Sequence, residues 1–348
     1  MAEAVTNWPE LLAGLVRHED QSAETAAWAM QQILRGEATA AQLAAFAVAL
    51  RSKGETVIEL AGMADTMIEF ATPIEVSSPA VDIVGSGGDR AHTVNISTMA
   101  AIVMAAAGAR VVKHGNRAAS SACGAADVLE ALGVVLDLAP EDQQTVIEQT
   151  GIGFLFAPHY HPALRFAGAP RRELGIPTTF NFLGPLANPA QPIAEAVGVA
   201  DARMAELMAG VFAARGNQGL VMHGDDGLDE MTTTTSSAVW VYADGQVVPT
   251  RFDPADVGLA RAQLTDLVGG DAGVNAAVVR DLVAGKPGPV HDIVILNAAA
   301  GLVAEAKPDA EGLTDQIAAQ LVRAEEAIGS GAAKAKLEEW VSATRAFR

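Results

Sequence analysis

The chain has 348 residues, 50% of them hydrophobic, which is enough to bury a large core and to divide into two domains. Its formal net charge of −19 argues against nonspecific binding to nucleic acid or to an anionic membrane, because like charges repel, so any anion site is a local exception. A single cysteine, Cys123, excludes an intrachain disulfide and a cysteine-cluster zinc site and fits a reducing compartment.

In chain order, MAEAVTNWPELL lacks the basic region and apolar core of a signal peptide, and the longest strongly apolar run, 99–109, is about half of what a bilayer span needs. A cytoplasmic protein is expected. The opening segment reads as helix after helix: Pro9 suits a first turn, Thr39 with Gln42 and Thr56 with Glu59 match capping boxes, and Gly36 and Gly54 fall where helices should end. Pro73, within 70–78, breaks the pattern. From Val81 short apolar strands alternate with helical segments, the strands being expected at 81–84, 110–112, 134–138, 153–157, 194–200 and 220–223. Asp244-Gly245, between 238–242 and 246–251, signals a hairpin, and helix returns at 293–305 and 313–328. The expected fold is α/β, a mostly parallel central sheet flanked by helices, with a smaller all-helical domain at 1–72 and the large domain at 73–348.

Two turns near the start of the α/β texture suit phosphate. Gly85-Ser86-Gly87-Gly88-Asp89 follows a strand; glycine lets the backbone take positive φ and approach an anion, and Asp89 is placed to orient the loop or meet a hydroxyl or metal. Arg90 occupies the third glycine position of a dinucleotide fingerprint, and the ending of a P-loop is missing. The glycines alone fit a plain strand-to-helix turn equally well. Asn95, Ile96, Ser97 and Thr98 then open an apolar helix, with three polar side chains where a cap needs one, which favours pyrophosphate oxygens or magnesium as partners. The second turn, Lys113, His114, Gly115, Asn116, Arg117, Ala118, Ala119, Ser120 and Ser121, sets two cations, an amide and two hydroxyls beside glycine. A surface loop with neutralising charges is the alternative, but Lys113 directly follows a strand, at the sheet's carboxyl edge, where ligands bind. Two such turns close in sequence suit a ligand with two phosphate groups.

A third cluster, Asp225, Asp226, Asp229 and Glu230, also follows an apolar strand. Carboxylates this close repel one another unless solvated or bound to a cation, and their spacing is not that of an EF-hand. Asp229 and Glu230 are the preferred magnesium ligands, with the Thr232 to Thr235 run bracing the loop through its hydroxyls; Asp225 and Asp226 read as solvated turn residues.

GSGGD, NIST, KHGNRAASS, the segment GIGFLFAPHYHPALRFAGAPRRELGIPTTFNFLGPLANPA and HGDDGLDEMTTTT occur in the order seen in anthranilate phosphoribosyltransferases, which the chain resembles over nearly its whole length. The long segment and KHGN are the specific parts. The resemblance implies transfer of a phosphoribosyl group from 5-phosphoribosyl 1-diphosphate to anthranilate in tryptophan biosynthesis, two magnesium ions, a nucleoside phosphorylase-like fold whose helical domain is joined by helices from about 161–183, and a homodimer formed through that domain. By position, Gly85, Gly88, Asp89, Thr93 and Asn95 to Thr98 resemble the pyrophosphate and ribose contacts, and Lys113 to Ser121 the second phosphate loop, with Ala125 at its end. Gly85, Asn116 and Arg171 correspond to anthranilate contacts, His114 and His161 to the path of the aromatic substrate, and Ser97, Asp229 and Glu230 to metal ligands. No dedicated catalytic base is expected, because an aromatic amine is already a neutral nucleophile at pH 7. The chain departs from the family in having Ser86 for threonine, which keeps the hydroxyl, and in having Ala122 where a basic residue is common and Ala125 where a hydroxyl is common, the latter two implying somewhat weaker phosphate affinity. Two rivals share the fold. A pyrimidine nucleoside phosphorylase should lack the KHGN and RRELG combination, and a noncatalytic nucleic-acid-binding relative should be basic and lack Asp229-Glu230.

Overall fold

The structure, a computed structural model, describes residues 7–77, 79–118 and 122–348. It opens with α1 (Trp8–Val16), α2 (Ala23–Leu34), α3 (Ala40–Lys53) and α4 (Val57–Glu69). Pro9 sits in the first turn of α1, and both capping boxes form: Thr39 and Thr56 accept the amides of Gln42 and Glu59, whose side chains accept the threonine amides in return. Gly36 and Gly54 lie just beyond α2 and α3, as their positive φ allows.

The α/β part then runs β1 (Val81–Gly85), α5 (Ile96–Ala106), β2 (Val111–Gly115), α6 (Ala125–Leu132), α7 (Pro140–Thr150), β3 (Ile152–Phe156), α8 (Ala157–Tyr160), α9 (Arg165–Leu174), β4 (Ala194–Gly198), α10 (Ala202–Ala214) and β5 (Gln218–Gly224). The hairpin of β6 (Ser237–Ala243) and β7 (Gln246–Phe252) follows, turning at Asp244 and Gly245, both at positive φ, and the chain closes with α11 (Ala272–Val283), α12 (Pro289–Glu305), α13 (Leu313–Gly329) and α14 (Ala332–Arg345). The seven strands are ordered β3-β2-β1-β4-β5-β6-β7, parallel from β3 to β5 and antiparallel across the hairpin. The chain winds outward from β1 to β3, then returns to β4 on the other side of β1. That reversal opens a crevice outside the carboxyl ends of β1 and β4.

The strand expected at 134–138 does not form. Val134, Leu136 and Leu138 are buried and Asp137 is exposed, so the alternation is real, but the Val135 N–H donates to Thr344 Oγ1 of α14 at 3.1 Å, and among the described residues the segment joins no sheet. Alternating polarity dictates an extended, half-buried chain; a ladder also needs an available strand edge.

Both faces of the sheet are covered. One apolar cluster joins it to α5 and α11 to α14, with α12 buried from Ile293 through Ala304. The other runs from α1 to α4 through Ala167 of α9 and into α10, ending on Val197, Val221 and Tyr242 of the sheet. Thus α9, distant in sequence, packs with the opening helices.

Candidate functional site

The glycine loop leaves β1 in the crevice. A Cβ on Gly85 would collide with the Asp229 carboxylate, so glycine there lets the acidic loop lie against the strand end; Gly87 and Gly88 turn the chain at positive φ. The Gly87 N–H donates to Asp229 Oδ2 at 2.6 Å, and Asp89 Oδ1 accepts the Ala91 N–H at 3.2 Å. Thr93 bridges to Val268, which anchors the far end of the loop. Asn95 stands at the N-cap of α5, yet its side chain caps nothing: Nδ2 donates to the Cys123 carbonyl at 3.2 Å, and Oδ1 accepts from Asn275 of α11 at 2.8 Å. The amino end of α5, lined by Ile96, Ser97 and the buried Thr98, is therefore not capped by Asn95; the Glu230 carboxylate faces the Ser97 N–H there, and the helix end suits an anion.

On the neighbouring strand Lys113 is only 2% exposed, its Nζ donating to the Ile83 carbonyl at 2.5 Å and to Ser97 Oγ at 3.0 Å. Burial lowers its pKa, while Asp82, Glu230 and Asp229 act in the opposite direction. The His114 N–H donates to the buried Asp82 at 3.3 Å, and Asp82 also accepts from Asn188 at 2.8 Å. The His114 and His161 rings lie 5.1 Å apart; burial pushes His114 down to about 3 and lowers His161, so both are neutral at pH 7. His114 Nε2, buried, has no hydrogen-bond partner among the described residues. Gly115 ends β2, and Asn116 Oδ1 accepts the Arg117 N–H at 2.7 Å. The guanidinium of Arg117 is engaged by Asp127 and Glu130 of α6, and Asp127 also accepts the Ala118 and Gly124 amides, which ties this loop to the start of α6 at Ala125. Ala119, Ser120 and Ser121 lie outside the described residues.

Asp229 and Glu230 are each 8% exposed. Asn297 of α12 holds them in place by bonding both the N–H and the carbonyl of the following residue, Met231. Burial is the first cause that raises Asp229 to about 7 and Glu230 well above the glutamate range; Asp89 adds to the first shift and Asp229 to the second. Asp225 pairs with Arg251 and is exposed, but Asp226 is not the solvated turn residue expected. It accepts from Thr232 and Thr234, so the threonine run braces the loop through this carboxylate.

Arg171 comes from α9, which packs with the opening helices, and its guanidinium lies 5.6 Å from the centre of the Phe180 ring. No carboxylate pairs with it among the described residues, and burial lowers its pKa. All the described candidates, including Arg171, His161, Asp229 and Glu230, line one cavity of about 430 Å³. Phe180 and Asn181, in the same cavity, carried no sequence signal beyond their place in the long segment. Asp82 had one: a lone acid inside an apolar strand.

No group of three or more His, Cys, Asp or Glu able to hold a metal occurs among the described residues. Two carboxylates beside a hydroxyl still fit magnesium, which typically keeps several waters and takes its remaining oxygens from substrate phosphates.

Residues 77–334 match the model of the glycosyl transferase family a/b domain, and residues 9–71 that of the glycosyl transferase family helical bundle domain. The chain is 57% identical to the anthranilate phosphoribosyltransferase of Thermobifida fusca over 97% of each chain. The crystal structure of anthranilate phosphoribosyltransferase from Thermus thermophilus superposes with a TM-score of 0.89 at 41% identity, covering 96% of this chain and 99% of that one. The Saccharomyces cerevisiae enzyme in complex with PRPP and Mg shares the fold, with a TM-score of 0.82 at 23% identity over 98% of this chain and 94% of that one.

Proposed function

The chain belongs to the anthranilate phosphoribosyltransferases, and on that premise we propose how its cleft works. The enzyme is a pentosyltransferase of tryptophan biosynthesis that moves the 5-phosphoribosyl group from 5-phosphoribosyl 1-diphosphate to the amine of anthranilate, giving N-(5-phosphoribosyl)anthranilate and diphosphate. The observation that carries the acceptor half of this reading is Arg171, a cation without a carboxylate partner among the described residues, in the same cavity as the glycine loop. A planar carboxylate on an aromatic ring suits both the guanidinium fork and the Phe180 face beside it.

In this arrangement the amino end of α5 and the glycine loop receive the diphosphate and ribose, and the 5-phosphate is assigned to the second phosphate loop, Lys113 to Ser121. Asn116, His114 and His161 line the acceptor side with Arg171. The amine lone pair forms the bond to ribose C1 as the bond from C1 to the diphosphate oxygen breaks with its electrons, and the amine proton leaves to solvent. Charge develops on both sides of the breaking bond, so prepositioned donors supply most of the stabilisation, and neutral histidines add no positive charge on the acceptor side. Asp229, Glu230 and Ser97 would hold magnesium, two ions in our reading, and the metal when bound neutralises diphosphate charge and assists its departure.

We further assign residues 1–72, with helices from 161–183, to the helical domain and 73–348 to the α/β domain, supported by the packing of α9 against α2 and α3. A homodimer through the helical domain and a cytoplasmic location complete the reading; cell fractionation checks the location. The pyrimidine nucleoside phosphorylase and nucleic-acid-binding readings are not favoured, since full-length identity lies with the anthranilate enzymes and the acid pair is kept.

Anthranilate is fluorescent, so the purified protein with 5-phosphoribosyl 1-diphosphate and magnesium should extinguish its signal. A folded preparation that leaves the fluorescence unchanged under these conditions refutes the assignment.

A further inference from the structure

The turn between α3 and α4 carries a carboxylate with no exposed side-chain surface, Glu55. Its Oε1 accepts from Thr179 Oγ1 at 2.6 Å, its Oε2 pairs with Arg203, and Arg51 Nη1 stands 3.7 Å away. Arg51 in turn reaches Asp201 at 2.5 Å, and Asp201 caps α10 by accepting the Arg203 and Met204 amides. Two acids and two bases thus balance around one buried point.

Three segments meet there. Thr179 is followed by Phe180, the ring beside Arg171, and by Asn181, which lines the cavity. Arg203 and Asp201 begin α10, just after the exit of β4, where the Ala200 N–H donates to Ser86 Oγ at 3.1 Å and the Ser86 N–H to the Gly198 carbonyl at 2.8 Å. Glu55 itself belongs to the helical bundle that packs against α9 and so carries Arg171. The carboxylate is therefore held between the acceptor wall and the phosphate wall. Glu55 alone of the four is fully buried, and stability is a weak reason to bury it, because an apolar residue of similar volume often serves as well; what its charge adds is one fixed geometry.

We propose that Glu55 is a positioning residue for the transfer: through Thr179 and Arg203 it fixes the Phe180–Arg171 wall relative to the glycine loop. This rests on the assignment of Arg171 to the anthranilate carboxylate. Because Glu55 touches no substrate, its removal should displace the acceptor wall while leaving the phosphate contacts intact.

The test is steady-state kinetics with each substrate varied in turn, on Glu55→Gln, on Arg203→Met, whose side chain is partly exposed and tolerant of change, and on their combination. Both single variants should raise the KM for anthranilate about tenfold and that for the diphosphate by less than about twofold, as expected for a small misplacement of one wall. The combination should be no worse than the more severe single variant, because both sever one contact. Thr179→Val should reproduce the shift and Thr179→Ser should not. Equal rises in both KM values, additive effects, or an unchanged anthranilate KM in a folded variant overturn the proposal; should Glu55→Gln not fold, Arg203→Met and Thr179→Val decide on the same criteria. Absence of transfer by the wild-type enzyme, or an Arg171→Ala variant that affects both substrates equally, would sink the functional reading instead.

Discussion

Arg171 shows how much one residue reveals when its surroundings are known. Nothing in its immediate sequence separates it from Arg172; its order among family motifs singled it out, and the fold left it over the Phe180 ring without a counter-ion among the described residues. Loss of a charge-assisted bidentate contact of about 1.5–3 kcal/mol corresponds to roughly 10- to 100-fold in binding. Arg171→Ala should accordingly raise the KM for anthranilate by that order while moving the KM for the diphosphate far less, and comparable changes in both would refute its role with the carboxylate. Gly85 was legible as a glycine but not for its reason: the side chain it makes room for belongs to Asp229, 144 positions along the chain. Glu55 left no trace at all, since its partner Thr179 is 124 residues away.

At the scale of elements, local chemistry went far. Capping boxes, the Asp244-Gly245 turn and the positions of the strands around the site follow from short-range preferences that the packed fold does not contest. The exceptions are informative. Residues 134–138 carry a strand pattern but meet α14 rather than a sheet edge, and Asn95, a natural cap, gives its side chain to Cys123 and Asn275 instead of to α5. The helical unit also leaves apolar side chains outside: Val16 of α1, Val48 of α3 and Ile58 of α4 are 69%, 41% and 59% exposed, and Ile58 is a site at which the proposed dimer can be tested. Light scattering should find a dimer for the wild type and a monomer for Ile58→Asp. The fold should survive, since an acid in the first turn of α4 suits the helix dipole. A wild-type monomer, or a variant that stays dimeric, would remove Ile58 from the interface.

The whole molecule buries two acids that the sequence sets inside apolar strands. Asp82 of β1 and Glu195 of β4 are register partners; Glu195 also borders a second cavity of about 440 Å³ between α4 and α10. Burial, against the pull of Tyr242 and Asn217, raises Glu195 to about 8 from its ordinary 4.5. Between those values the folded chain keeps a proton that the unfolded chain has released, so stability falls as pH rises through the window and the full cost stands above about 8. Glu195→Gln cannot titrate and retains an amide for the Tyr242 hydroxyl. Its melting temperature should match that of the wild type near pH 4.5 and exceed it increasingly toward pH 8; a constant difference across that range would show that the carboxyl does not titrate there. Asp82, raised to about 6, acts with the same sign in both proteins and cancels from the comparison. The sequence alone determined what local forces settle: helix ends, turn geometry, the alternation of strand and helix, and the ordered motifs that tie the chain to its family. Only the tertiary structure decided which of those motifs converge, because Arg171, Asp229 and the glycine loop are joined by the reversal of strand order at β1 and by the return of α9 to the helical unit. Such contacts depend on long-range packing and burial, which no local window of residues encodes.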